Sequence, residues 1–185
     1  KIYFSHHPDL PFKPASHRRF AEKIFLVDSH IKENIVALGE AGLDYDRMFS
    51  TKENQQKCFS DILELAEEMD LPLFLHERDA GRDFIKLMKE HPSVCSRSVV
   101  HCFTGSKDMA RQYLQLGCHI GITGWICDDR RNHDAVEAVK LIPMERLMIE
   151  TDAPYLTQEY KRIIEQERPV EYSLCGSKDC RDKGN

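Results

Sequence analysis

The sequence predicts an α/β protein whose parallel strands are arranged as in a (β/α)8 barrel. Three observations carry this. Four strings are apolar and then stop on a residue that seeks metal: Ala37-Leu-Gly-Glu40, Pro72-Leu-Phe-Leu-His76, Ser98-Val-Val-His101 and Leu147-Met-Ile-Glu-Thr-Asp152. That is the pattern of strand ends at the C-terminal mouth of a parallel barrel, where such folds place their chemistry. The spacing agrees: 36 residues separate Glu40 from His76, 25 separate His76 from His101 and 51 separate His101 from Asp152. One strand-helix step takes roughly 30 residues, so the long interval needs a further strand, and His119-Ile-Gly-Ile-Thr-Gly124 supplies it. Helical apolar periodicity fills the intervals, and strands that are apolar on both faces belong to a parallel sheet covered by helices.

The elements follow in order. Residues 1–17 begin on a strand-like Ile2-Tyr-Phe and continue into a loop rich in proline; residues 16–34 read as a helix capped by Ser16. Residues 35–40 are a buried strand, and Gly42-Leu-Asp-Tyr-Asp46 is the loop behind it. Ser50 or Thr51 caps a helix running to Asp70, and Pro72 opens the next strand. Phe84 to Met88 mark a helix that stops near His91-Pro92. Residues 108–116 form another, ended by Gly117, and residues 132–141 one more. Residues 158–168 suit a last helix, and the polar stretch 173–185 is expected to be disordered.

The bulk properties narrow the function. A chain of 185 residues can bury one core, but about 250 is typical of a full barrel. The net charge of -5 gives no nucleic-acid footprint by itself. Seven scattered cysteines without a CxxC pair fit a reduced intracellular protein, cytoplasmic or nuclear, rather than a disulfide framework. Cys175 and Cys180 lack the further ligands a zinc site needs. No signal peptide and no membrane-length apolar run is visible. The first residue is Lys1, inside a strand-like run, which reads as a fragment or an incomplete gene model.

Two carboxylates and two imidazoles make a site for a hard-to-borderline divalent ion, with Mg2+, Mn2+ and Zn2+ all compatible. A buried Glu needs a partner or a metal, and Glu40 lies between an apolar run and a glycine. Arg78, two residues beyond His76, is placed to grip a phosphate or to pair with Asp79 or Asp44. Asp44 is read as a support for the ligands or as a loop cap. Arg130 and Arg131 are candidates for backbone phosphates or an exposed charge pair, and Trp125 for stacking on a base or plugging the rim.

Five strings then resemble the TatD family of metal-dependent deoxyribonucleases, within the amidohydrolase-like barrels. They are Gly39-Glu40-Ala-Gly-Leu-Asp44-Tyr, Leu75-His76-Glu-Arg78-Asp79-Ala80, Val100-His101-Cys-Phe-Thr-Gly105, Gly121-Ile-Thr-Gly124-Trp and Ile149-Glu-Thr-Asp152-Ala-Pro-Tyr-Leu156. The resemblance implies a TIM-type barrel of which about strands 3–8 are present. Glu40 then ends strand four, His76 five, His101 six and Asp152 eight. In the family the Glu bridges two ions, the two His hold one of them, and the Asp binds metal and handles the proton of the attacking water. Glu40 and Asp152 are thus the expected catalytic residues, and Glu40, His76, His101 and Asp152 the metal ligands, for one or two ions. Family members hydrolyse phosphodiesters in DNA, often from the 3′ end, in repair or in DNA degradation. That implies single-stranded DNA or 3′ ends as partner, no membrane, and a monomer.

Departures from the family accompany the match. No His-x-His is present, and the adjacent His6 and His7 would point to opposite faces of a strand. His7-Pro8 resembles the His-Pro that follows the family's third strand, which makes His7 an expected substrate contact. Strands one and two have no sequence to form them, and the family's closing Arg-Asn-Glu-Pro is missing. The expectation is a partial barrel over residues 1–157, with open sheet edges that invite aggregation, and a divergent tail over 158–185. The other functions compatible with this sequence are a non-catalytic truncated product and a hydrolase of amides or esters.

Overall fold

The computed structural model describes residues 35–152. The expected strand at residues 2–4, the helix at 16–34, His7, the helix at 158–168 and the polar tail lie outside them. Five strands form one parallel sheet: β1 (Leu38–Asp44), β2 (Leu73–Arg78), β3 (Val99–Val100), β4 (His119–Ile122) and β5 (Leu147–Ile149). Their order across the sheet is their order along the chain, and every neighbouring pair is parallel. Crossovers in parallel sheets are right-handed. Strands added always on the same side therefore leave their helices on one face, which is barrel winding. A doubly wound sheet would reverse order at a switch point, and none occurs among the described residues.

The helices form where apolar residues recur at helical spacing. α1 (Lys52–Glu68) starts at Thr51, whose Oγ1 accepts the Asn54 N–H at 3.3 Å. It buries Phe59, Ile62, Leu63 and Ala66 along one stripe. α2 (Gly81–Glu90) buries Phe84, Ile85 and Met88. Pro92 prevents it from continuing and opens a single turn, α3 (Pro92–Cys95), which the periodicity did not reveal. α4 (Lys107–Gln115) is capped by Ser106, and Gly117 at φ +91° ends its turn as expected. α5 (His133–Val139) is shorter than the expected 132–141. The rings of Phe59 and Phe84 stack at 5.1 Å, and Tyr113 meets Phe84 edge-on at 5.6 Å.

Three strand boundaries differ from the sequence reading. The first strand runs on to Asp44 instead of stopping at Glu40. Gly42, read as a turn residue, sits within it, opposite His76. Its hydrogen side chain is needed because the two backbones approach closely there. Leu43, beyond it, is fully buried. β3 is only two residues long, yet His101 still donates its N–H to Leu75 O at 2.8 Å, so the ladder carries it into place. β5 stops at Ile149, and the Glu150 N–H bonds Ile122 O at 3.0 Å. Asp152 lies past the strand with φ +45°.

One buried polar link ties a helix to the rim of the sheet. Tyr113 on α4 is fully buried and donates to Glu77 Oε2 at 2.7 Å, while Glu77 Oε1 accepts the Ala80 N–H at 2.7 Å. Tyr113→Phe removes a donor from a half-buried carboxylate, which costs roughly 1–2 kcal/mol. A urea titration should show the midpoint fall with an unchanged slope. An unchanged midpoint would mean that the link contributes nothing. Cys58, Cys95, Cys102 and Cys118 are free thiols. Among the described residues no helix is long and apolar enough to cross a membrane.

Candidate metal centre

Three strand ends bring three donor atoms together. Between β1 and β2 the register slips after Gly39, so Glu40 is an extra residue with no opposite partner. A bulge of this kind re-aims a side chain, and here Glu40 turns toward β2 and β3. Its Oε1 lies 2.8 Å from His76 Nδ1 and 2.9 Å from His101 Nε2. The two nitrogens are 3.5 Å apart. Donors that share one ion at about 2.0–2.2 Å stand on the order of 3 Å from each other, and these three do. The group is partly sheltered, with side-chain exposures of 32% for Glu40, 24% for His76 and 8% for His101.

The far nitrogen of each imidazole faces its own carboxylate. His76 Nε2 is 3.3 Å from Asp44 Oδ2, and His101 Nδ1 is 3.3 Å from Glu150 Oε2. A carboxylate only accepts, so each far nitrogen holds a proton against Asp44 or Glu150. The near nitrogens face the Glu40 carboxylate in the same way, and an ion entering the cluster would take their lone pairs in place of those protons. Carboxylate, imidazole and cation in a row is the usual support of a metal-binding His. The donor set and both supports therefore fit a divalent ion.

Electrostatics point the same way. Burial works to raise the pKa of Glu40, but the hydrogen bonds and charge of His101 and His76 outweigh it and hold the carboxyl well below the usual range. Burial works to lower that of His101, yet hydrogen bonds and charge from Glu150 and Glu40 raise it to about 9. Asp44 is also held low: burial opposes this, and the Arg47 N–H and the His76 charge override it. A pocket that stabilises positive charge this firmly suits a cation.

Of the residues expected from sequence, Glu40, His76 and His101 meet as one group. Asp152 is not one of that group; its Oδ2 is 3.7 Å from the Sγ of Cys102, the residue after His101. Arg78 pairs with Asp46 at 3.0 Å on the exposed rim, and not with Asp44 or Asp79. Asp44 fills both roles considered for it, since its Oδ1 also caps the N–H groups of Asp46 and Arg47. Arg130 and Arg131 both bond Asp128 at 2.8 Å, and Arg131 covers the Trp125 ring at 3.9 Å. His91, with no role assigned from sequence, lies 2.8 Å from Glu67 Oε2.

Sequence reasoning missed Glu150. It was read as one more strand residue on the way to Asp152. Its carboxylate accepts the Cys102 N–H at 2.8 Å as well as facing His101. The available signal was Gly121: a Cβ there would meet Glu150 Oε1 at 1.9 Å, so only glycine leaves space for this carboxylate. Glu150→Gln should lower divalent-ion affinity about 10- to 100-fold with little change in melting temperature. Calorimetric titration with Mn2+ checks this, and unchanged affinity would remove Glu150 from the site. The Cys102 thiol is pushed up to about 12, chiefly by burial; such a thiol is no nucleophile.

A barrel-wound parallel sheet with a Glu-His-His group at its strand ends defines an α/β barrel that carries a candidate divalent-metal centre. The comparisons make this specific. The family model "TatD related DNase" matches residues 4–173, beyond the strings that carry the resemblance. A protein of Rahnella sp. (strain Y9602) named 3'-5' ssDNA/RNA exonuclease TatD is 47% identical over 142 residues, covering 77% of this chain and 54% of that protein. One of the same name from Klebsiella pneumoniae (strain 342) is 50% identical over 122 residues, 66% of this chain and 46% of its own length. Among solved structures, the Escherichia coli K12 TatD homologue YJJV superposes with a TM-score of 0.67 at 29% identity, over 77% of this chain and 61% of that one. A TatD family hydrolase from Entamoeba histolytica gives 0.63 at 34% identity, over 76% and 46%. The chain belongs to the TatD-related DNase family, and its fold is an incomplete α/β TIM-type barrel. It spans about half the length of the curated relatives it matches.

Proposed function

We propose that the chain is the catalytic part of a divalent-metal-dependent nuclease that hydrolyses phosphodiester bonds from the 3′ end of single-stranded nucleic acid. The observation that carries this reading is the convergence of Glu40 Oε1, His76 Nδ1 and His101 Nε2 on one point. The relatives' names supply the substrate class and add RNA to the DNA expected from sequence. DNA repair or DNA degradation is the corresponding role, the cytoplasm or nucleus the place and a monomer the working form. Residues 1–157 are proposed as the barrel and 158–185 as a separate tail.

When bound, a divalent ion such as Mg2+, Mn2+ or Zn2+ would polarise a phosphoryl oxygen and acidify an attacking water, and a second ion would support the leaving oxygen. The rest falls to the chain. Glu40 supplies the negative charge of the site. His76 and His101 give neutral lone pairs in directions set by Asp44 and Glu150. Asp152 is the proposed further ligand and the acceptor of the water's proton. Arg78 and His7 are the proposed substrate contacts, and Arg78 must leave Asp46 to take a phosphate.

A second reading rests on a solved relative from Saccharomyces cerevisiae titled an amidohydrolase, at 27% identity and a TM-score of 0.63. A divalent ion held by the same residues would polarise a carbonyl. The test is degradation of 5′-labelled single-stranded DNA and RNA by the 185-residue chain with Mg2+, Mn2+ or EDTA, beside an aryl ester and an anilide. Metal-dependent shortening of nucleic acid alone is the expected result. Hydrolysis of the ester or anilide alone would replace the nuclease reading, and no hydrolysis of any substrate would leave the chain non-catalytic.

A further inference from the structure

Cys102 links three strand ends at the edge of the metal centre. It follows His101 at the end of β3 and is held at φ +46°, a conformation uncommon outside glycine and Asn. Its backbone N–H bonds Glu150 beyond β5. Its Sγ lies 3.2 Å from Thr123 Oγ1, beyond β4, and 3.7 Å from Asp152 Oδ2, beyond β5.

The direction of these contacts follows from what each group can do. The Asp152 carboxylate only accepts, so the thiol must donate to it. The sulfur then has lone pairs for Thr123, whose hydroxyl already accepts the Trp125 N–H at 3.4 Å and keeps its own proton to give. The chain therefore runs from the Trp125 N–H to Thr123, from the Thr123 O–H to Cys102 Sγ, and from the Cys102 S–H to Asp152. Bonds ordered head to tail in this way strengthen one another.

We propose that Cys102 is a positioning residue for Asp152: its thiol, oriented by Thr123, donates to Oδ2 and fixes the direction of that carboxylate at the strand ends. This rests on the nuclease reading for its purpose, but not for its geometry. A side chain past the end of its strand, as Asp152 is, needs such a tether to hold one direction. Cys102 does so with a group too weak a donor to neutralise the carboxylate's basicity.

Two measurements test it, one of which needs no activity. The Raman S–H stretching band of Cys102 is isolated as the difference between the wild-type chain and Cys102→Ser. It should lie at the frequency of a hydrogen-bonded thiol and move up toward that of a free one in Asp152→Ala. Thr123→Val should move it as well. A band that Asp152→Ala leaves in place would overturn the proposal, whatever the chain hydrolyses. In the single-stranded DNA assay, Cys102→Ala should lower kcat about 10-fold, the usual cost of losing an outer hydrogen bond at a metal site, with KM and Mn2+ affinity within twofold. Cys102→Ser, which keeps a donor, should recover most of the loss. Equal kcat in the wild-type, Ala and Ser chains, or equal loss in both variants, would contradict it. A chain that cleaves no nucleic acid fails the nuclease reading instead, and the Raman band then decides the tether alone.

Discussion

Glu40→Gln should reduce the affinity of the chain for Mn2+ by about 100-fold or more and take nuclease activity with it. Losing a carboxylate that merely supports a ligand already costs 10- to 100-fold at metal sites, and Glu40 is proposed as a ligand itself. It is also the shared acceptor of the cluster: one oxygen lies within 2.9 Å of both imidazoles. Gln keeps the size and one oxygen acceptor but removes the charge that holds two cationic or metal-facing groups together. Its amide nitrogen would set a donor against nitrogens whose lone pairs must face inward. The fold should survive, since Glu40 is a bulged residue outside the regular ladder. Calorimetry for the ion and thermal denaturation for the fold separate the two effects. Wild-type affinity in the variant would show that the ion binds elsewhere.

Gly42→Ala should be the most damaging single change to the fold, at about 4 kcal/mol or more, the range reserved for severe backbone conflicts. A Cβ at Gly42 would lie 1.8 Å from the His76 carbonyl oxygen, and the residue sits at φ +149°. The obstacle is backbone, so no side-chain rotation relieves it. β1 and β2 would have to part, and with them Glu40 and His76. The variant should therefore lose the cooperative urea transition, or shift it to much lower urea, and lose ion binding too. A transition within about 1 kcal/mol of wild type would mean that the strand ends well before Gly42.

That glycine shows where the sequence was legible and where it was not. The order of the strands and the meeting of Glu40, His76 and His101 followed from apolar runs that end on ligand-type residues, and four of the five α-helices between them from helical periodicity. Those features are local, and spacing along the chain carries them. Gly42 was read as a turn because glycine most often marks one. Only the neighbouring strand, 34 residues away, shows that the glycine answers a close approach. Glu150 was overlooked for the same reason: what it does depends on His101, 49 residues earlier, and on the space beside Gly121. Asp152 was legible as a candidate from its motif, but where its carboxylate sits depends on Cys102 and on a backbone turn that no periodicity records. Arg130 and Arg131 give the converse case. Their sequence suggested free cations, and the fold closes both onto Asp128.

One divalent ion should sit among Glu40, His76 and His101. Crystals of the chain grown with Mn2+ and measured at the manganese absorption edge test it most directly. The predicted result is an anomalous peak within coordination distance of Glu40 Oε1, His76 Nδ1 and His101 Nε2. A fully occupied ion elsewhere, or a cluster that stays closed on itself as an ion pair at saturating Mn2+, would contradict it.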